Sequence, residues 1–225
     1  MTASEKTAAK KAKRHTVYKL SDGTRVPGTT TITGVMDKPA LVRWANTMGL
    51  QGIDTSKYTD EMATIGTLAH YMIECWLTDT QVELADYTPN QCMAASVCVQ
   101  KFHEWLKQAE IEKTAFALSE AALVSEKHRF GGTIDIAAVV GGKATLIDIK
   151  TCKGIYGEHK TQVAGGYHIL CEENGFMPEQ VLILRIGRDE AEGFEAVYVS
   201  PQEIELHRKR FLVCRELYDI NRLIK

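Results

Sequence analysis

The sequence has no C-x-x-C pair and no zinc-type ligand spacing; its six cysteines (75, 92, 98, 152, 171 and 214) sit mostly inside apolar runs. That pattern reads as reduced thiols in the core of a cytosolic protein. There is no signal-peptide pattern and no apolar run long enough to cross a bilayer, so no membrane partner is expected. Internal repeats, low-complexity tracts and interdomain linkers are also missing. Charge of either sign is not in excess: 27 Lys+Arg against 29 Asp+Glu leave a net charge of −2. No whole-molecule basic field therefore advertises a nucleic-acid partner, and any such surface must come from uneven placement of the cations. What remains is ordinary for a globular chain of 225 residues, with 44% hydrophobic and 25% charged residues. That is ample for one large domain over residues 16–225, behind a basic flexible tail over 1–15 that carries Lys6, Lys10, Lys11, Lys13 and Arg14.

The most informative stretch runs from Gly131-Gly132 to Thr151. Thr133–Val140 and Lys143–Lys150 read as strands joined by Gly141-Gly142, a two-residue connection that favours a tight hairpin. With the glycines at the tip, Val140 pairs with Lys143, and counting outward sets Asp135 opposite Asp148. Cross-strand partners share a face, and Lys150, two residues on, joins them. Opposed carboxylates repel; a hard divalent cation between them resolves the conflict. A lysine beside such an ion can hold water or meet developing negative charge. A D-x-K triplet by itself also suits an exposed hairpin. Here the flanking run, Leu146-Ile147-Asp148-Ile149, is apolar enough for a buried strand, where unpaired charge is costly.

In chain order, Thr16–Leu20 and Thr24–Val26 form a small hairpin, and Pro27–Thr33 is a hydroxyl-rich loop. Asp37 caps a helix through Leu41, Trp44 and Ala45 to Gly49. Residues 60–77 form a helix with Ile65, Leu68, Ala69, Met72, Ile73 and Trp76 buried. Gly66, His70 and Glu74 lie one turn apart on an adjoining face, where the glycine admits another backbone. A histidine so placed also serves as a hydrogen-bonded core residue. Residues 90–109 give a second amphipathic helix with Met93, Val97, Phe102, Trp105 and Leu106 inward. Ala117–Val124 is a strand holding Glu120. A helix over 158–173 contains Gln162, Tyr167 and the pair Gly165-Gly166. Mid-helix glycines cost roughly 1 kcal/mol each, so a strand or nucleic-acid backbone should approach there. Gln180–Ile186 and Phe194–Val199 are strands, and Ser200-Pro201-Gln202-Glu203 opens the last helix with a capping box. This order implies an α/β fold, a mixed central sheet flanked by helices.

The ordered set G-T-x-x-H (Gly66 to His70), Glu120, G-T-x-D (Gly132 to Asp135), D-x-K (Asp148 to Lys150), Gln162 and Tyr167 resembles the PD-(D/E)XK nuclease superfamily. Within it, the chain is similar to the RecB-like exonuclease branch found in phages and in the mitochondrial genome-maintenance exonuclease. Tyr18, Asp22-Gly23, Pro27, Thr30, Ile32 and the Trp44 helix extend the likeness over roughly residues 16–200. The resemblance implies a restriction-endonuclease-like core and a site binding Mg²⁺ or Mn²⁺ through His70, Asp135, Asp148 and the main-chain carbonyl of Ile149. Lys150 would serve the attacking water, and Glu120 would be a supporting or second-metal carboxylate. Gln162, Tyr167, Thr30 and Lys153 would meet the substrate. Two departures stand out: Gln162 and Tyr167 are five apart where the branch spaces them four apart, and Gly28 stands where the branch tends to have serine. No iron–sulfur cluster is expected, since the cysteines that hold one in some relatives are missing.

The activity implied is metal-dependent DNA exonuclease action of phage origin, serving recombination or replication in the cytoplasm of a bacterium or an infected host. DNA is the implied partner, together with a recombination protein such as a single-strand annealing protein; an oligomer is compatible. A structure- or sequence-specific endonuclease with the same site is the first alternative, and a silent DNA- or partner-binding platform the second. Lys127, His128, Arg129, Lys153 and Lys160 could hold phosphates, though as isolated charges they more readily form a solvated face.

Overall fold

The structure, a computed structural model, describes residues 16–224, so the basic tail expected over 1–15 lies outside the described residues. Its centre is a five-stranded mixed sheet: β3 (Phe116–Ser125), β4 (Phe130–Val140), β5 (Lys143–Lys150), β6 (Gln180–Ile186) and β7 (Phe194–Val199), in that spatial order. Only β5 and β6 are parallel; the other neighbours are antiparallel. The parallel pair requires a crossover, supplied by α5 (Gly157–Lys160), a π-helical segment (Thr161–Tyr167) and α6 (His168–Glu173). The small hairpin is β1 (Tyr18–Lys19) with β2 (Arg25–Val26). Thr29–Thr33 forms a short helix, α1, rather than the expected loop, entered from Gly28, which bridges to Gly131 of β4.

Helices cover both faces of the sheet. On one lie α3 (Thr55–Leu77) and α4 (Pro89–Gln108), packing Leu68, Ile73, Phe102 and Trp105 against Ile136, Ile147, Ile149 and Leu184. On the other lie α1, the crossover and α7 (Pro201–Leu223), with Ile32, Val163, Leu170 and Phe211 against Ile134, Leu146 and Ile183. Local chemistry explains the helix starts. Asp54 caps α3 by accepting from the amides of Ser56 and Lys57, Thr88 and Gln91 form a capping box on α4, and Ser200 and Glu203 form the expected one on α7. Two expectations fail. Helix α2 (Pro39–Leu50) is entered from Lys38 with no side-chain cap, so Asp37 lies one residue too early; the proline at the first helical position supplies the start. Met93 is 66% exposed, and Ala95 and Cys98 carry the inward stripe of α4 instead.

The glycine pair in the crossover serves a helix, not a strand or a nucleic acid. A Cβ on Gly165 would lie 2.6 Å from the main-chain oxygen of His207 and 2.7 Å from Phe211 Cβ, both on α7. Gly165→Ala is therefore expected to lower the free energy of unfolding by about 2 kcal/mol, overpacking outweighing alanine's helix preference. Gly49→Ala, in α2 with open space around it, should raise it by a few tenths to about 1 kcal/mol. Urea unfolding of both variants checks the pair, and equal effects would rule out the close contact with α7.

Candidate active site

The hairpin β4–β5 keeps the register expected from its Gly-Gly tip, Val140 with Lys143 through Ile136 with Ile147. There the ladder stops. On the other side of β4, Ser119 pairs with Ile136 and Ala121 with Ile134, and the residues between them, Glu120 and Asp135, pair with nothing in the ladder. Glu120 has φ +46°, the left-handed region that a β-strand residue normally avoids. Asp135 marks the matching irregularity in β4: Ile134 packs on the α7 side of the sheet and Ile136 on the α3 side, though alternation would put them together. Such local strain needs support from its surroundings and concentrates at functional sites.

The break turns Asp135 toward α3. His70 Nδ1 lies 3.5 Å from Asp135 Oδ1 and 3.6 Å from Glu120 Oε1, and Asp135 Oδ2 accepts the Ile149 amide at 2.7 Å. One ligand atom from each of His70, Glu120 and Asp135 lies within 4.8 Å of the others. With Ile149 and Glu74 they line a cavity of about 10 Å³, close to the space of one water-sized body. Gly66, one turn before His70, lets α3 settle on the end of β5: a Cβ there would come 2.8 Å from Thr151 Oγ1, a side chain rather than the backbone anticipated.

Asp148 and Lys150 form a second group. Ile147 and Ile149 pack toward α3, so alternation sets Asp148 and Lys150 on the other side of β5 from those two isoleucines, while Asp135, at the irregularity between Ile134 and Ile136, is reached by the charges of both. A count along two regular strands cannot foresee that irregularity. Asp148 is 1% exposed, and Lys150 Nζ stands 2.6 Å from its Oδ2, yet neither carboxylate oxygen has an aligned hydrogen bond among the described residues.

Electrostatics tie the two groups together. Burial opposes charge on His70, but Asp135 and Glu120 outweigh it and hold the imidazole well above its ordinary value. Burial likewise works against Asp135, yet His70 and Lys150 hold its carboxyl low. Burial pushes Asp148 up to about 6, with Lys150 pulling against it and Asp135 adding to it. Burial also raises Glu120, despite His70. Lys150 stays protonated, its burial overcome by Asp148 and Asp135.

The spacing of Gln162 and Tyr167 finds a physical explanation. Residues 161–167 are π-helical, so hydrogen bonds close five residues apart and a five-residue gap returns a side chain to the same face. Gln162 Nε2 donates to Tyr167 OH at 2.7 Å and to Thr30 Oγ1 at 3.0 Å, joining three of the residues expected to meet substrate. Burial, then Asp148 and Asp135, raise the Tyr167 phenol well above its ordinary value, so this chain of hydroxyls and amide feels both carboxylates. Lys153 is exposed and joins neither group. Of the other cations considered, Lys160 pairs with Glu203 at 2.9 Å and His128 lies 3.7 Å from Glu173. Sequence reading overlooked His159, whose imidazole is pushed down to about 4 by burial and by Lys150; only its distance from Lys150 along the loop after β5 could have hinted at it.

No protein-family model matches the chain, and no curated protein matches it by sequence. Solved structures do match in outline. A candidate exonuclease from Eubacterium rectale is 10% identical with TM-score 0.39, over 72% of this chain and 66% of that one. The alkaline exonuclease LHK-Exo from Laribacter hongkongensis is 15% identical with TM-score 0.35, over 72% of this chain and 88% of that one; another of its structures holds dAMP. The protein SSO0001 is 15% identical with TM-score 0.30, over 56% of this chain and 62% of that one. The chain thus spans about two thirds or less of the length of the first and last of these. At such values none of them decides what this chain does.

Proposed function

We propose that the chain is a divalent-metal-dependent deoxyribonuclease that degrades DNA from an end. The observation that carries this reading is the convergence of His70, Glu120 and Asp135 within 4.8 Å at a break in the sheet, beside a buried carboxylate and lysine at 2.6 Å. The donor set fits a divalent ion. Imidazole and carboxylate oxygens suit Mg²⁺ or Mn²⁺, and the two oxygens of Asp148 lack the hydrogen bonds that a buried carboxylate requires. His70, Asp135, Asp148 and the Ile149 carbonyl would hold it, with Glu120 as a further carboxylate. A bound ion would polarise the scissile phosphate and lower the pKa of a bound water.

The chain's own residues supply the rest. The Ile149 amide fixes one oxygen of Asp135 and so the direction of the other. Lys150, kept cationic by Asp148, offers a charged donor to the attacking water and to the charge developing on phosphate. Gln162, held between Thr30 and Tyr167, keeps an ordered polar edge beside the site that can position a phosphate or sugar. Lys153, exposed just past β5, would add a phosphate contact, and a recombination protein is the natural partner of such an activity.

End-labelled linear DNA should be degraded in Mg²⁺ or Mn²⁺ and spared in EDTA, while a covalently closed circle survives. Cutting of the circle would make the enzyme an endonuclease; no cutting of any nucleic acid would leave a binding platform. Asp135→Asn, which keeps shape but removes charge, should reduce cleavage by at least about 100-fold and weaken Mn²⁺ binding in calorimetry. Unchanged Mn²⁺ affinity would remove Asp135 from the ligand set.

A further inference from the structure

Helix α7 is apolar on two sides. Ile204, Phe211 and Cys214 are buried against the rest of the fold. On the opposite side Leu206, Val213 and Ile220 recur every seven residues, and Leu217 and Ile224 each follow one of them by four. These five are 64%, 63%, 44%, 41% and 76% exposed in the order just given. At the helical turn angle they fall within about 60° of one another, a continuous seam about 27 Å long. Scattered surface leucines need no explanation, but a heptad seam on a 23-residue helix is the pattern by which helices pair.

We propose that this seam binds a second copy of the chain, α7 against α7, antiparallel, with Val213 on the two-fold axis. Charge decides both the occupant and the direction. Lys209 and Glu216 are exposed and flank the seam on the same side of Val213. In the antiparallel pair Leu206 faces Ile220 of the other copy, and Lys209 comes beside Glu216 of the other copy. The two-fold axis makes that ion pair twice. Parallel packing would instead set Lys209 beside Arg210 of the other copy, like against like. A single pair of helices about 27 Å long is a small contact beside the roughly 800 Å² per partner of a standard interface, so the dimer should be reversible and its association visible as a dependence on concentration.

Sedimentation equilibrium of the full chain from about 1 to 100 μM should show a mass rising from one chain toward two. Lys209→Glu alone and Glu216→Lys alone should each weaken association about tenfold or more, and the double exchange should restore it. Val213→Glu, which sets two carboxylates on the axis, should leave a monomer with unchanged circular dichroism; Val213→Cys should cross-link to itself on mild oxidation. A wild-type mass of one chain at every concentration overturns the proposal. So does a dimer that survives Val213→Glu, or a double exchange that fails to recover. The Lys209 and Glu216 variants alter only surface charge, so they decide the matter even if a change at Val213 disturbs folding.

Discussion

Lys150→Ala should lose DNA cleavage by roughly 10²- to 10⁴-fold, the usual worth of a positioned proton-transfer or charged group. The same change leaves Asp148, 1% exposed, without its cation at 2.6 Å. Breaking a buried pair by removing one partner costs about 3–5 kcal/mol, because the remaining charge stays buried. The ion-free variant should therefore unfold more easily at pH 8 and recover stability near pH 5, where Asp148 can take up a proton. A divalent ion that contacts Asp148 replaces part of the missing positive charge. Mg²⁺ should then raise the melting temperature of the variant more than that of the wild type. Turnover within tenfold of wild type would take Lys150 out of the chemistry. An ion-induced shift no larger than in wild type would separate Asp148 from the ion.

The second large effect is the pH dependence of stabilisation by the ion. Asp148 is raised to about 6 and Glu120 is also raised, so both hold protons more tightly folded than unfolded. Each contributes stability that is present at low pH and lost as pH rises from the ordinary carboxylate range through the folded value. His70 has the same sign: its contribution is complete below its ordinary value and lost as pH climbs through the higher folded one. For Asp148 alone the loss is on the order of 3 kcal/mol by pH 8. Asp135 has the opposite sign, but its lowered titration acts only below the ordinary carboxylate range. Histidines 103, 128, 159, 168 and 207 are all lowered and stabilise the fold as pH rises through their range. Those at 103, 128, 168 and 207 act alike with and without an ion, while His159 feels Lys150 and counts with the site, so the difference between the two conditions isolates the site. An ion must displace the protons held there, and its stabilisation should grow steadily between pH 5 and pH 8. Unfolding titrations in EDTA and in saturating Mg²⁺ at pH 5, 6.5 and 8 measure it. A gap that stays constant across the three would sink the ligand set.

Much of the candidate site was legible from pattern alone, because its parts ride on regular elements. His70 follows helical spacing, Asp148 and Lys150 sit on a strand bounded by a two-residue turn, and the register from Val140 with Lys143 to Ile136 with Ile147 is what that turn dictates. What escaped were the places where an element leaves its period. The left-handed Glu120, the reversal between Ile134 and Ile136 and the π-helical Thr161–Tyr167 each move a side chain off the face that counting assigns. The five-residue gap from Gln162 to Tyr167 looks like a flaw in the pattern until the wider turn brings the two together at 2.7 Å.

The amino-acid order by itself therefore determined the layers, the hairpin register and which residue types would share one region, since periodicity and turn chemistry act over a few neighbours at a time. Only the tertiary fold decided the grouping: His70 with Glu120 and Asp135, Asp148 with Lys150, and Asp135 tied to β5 through the Ile149 amide. Backbone strain at Glu120 is held in place by the helices packed on both faces of the sheet, and no short stretch of sequence contains that support.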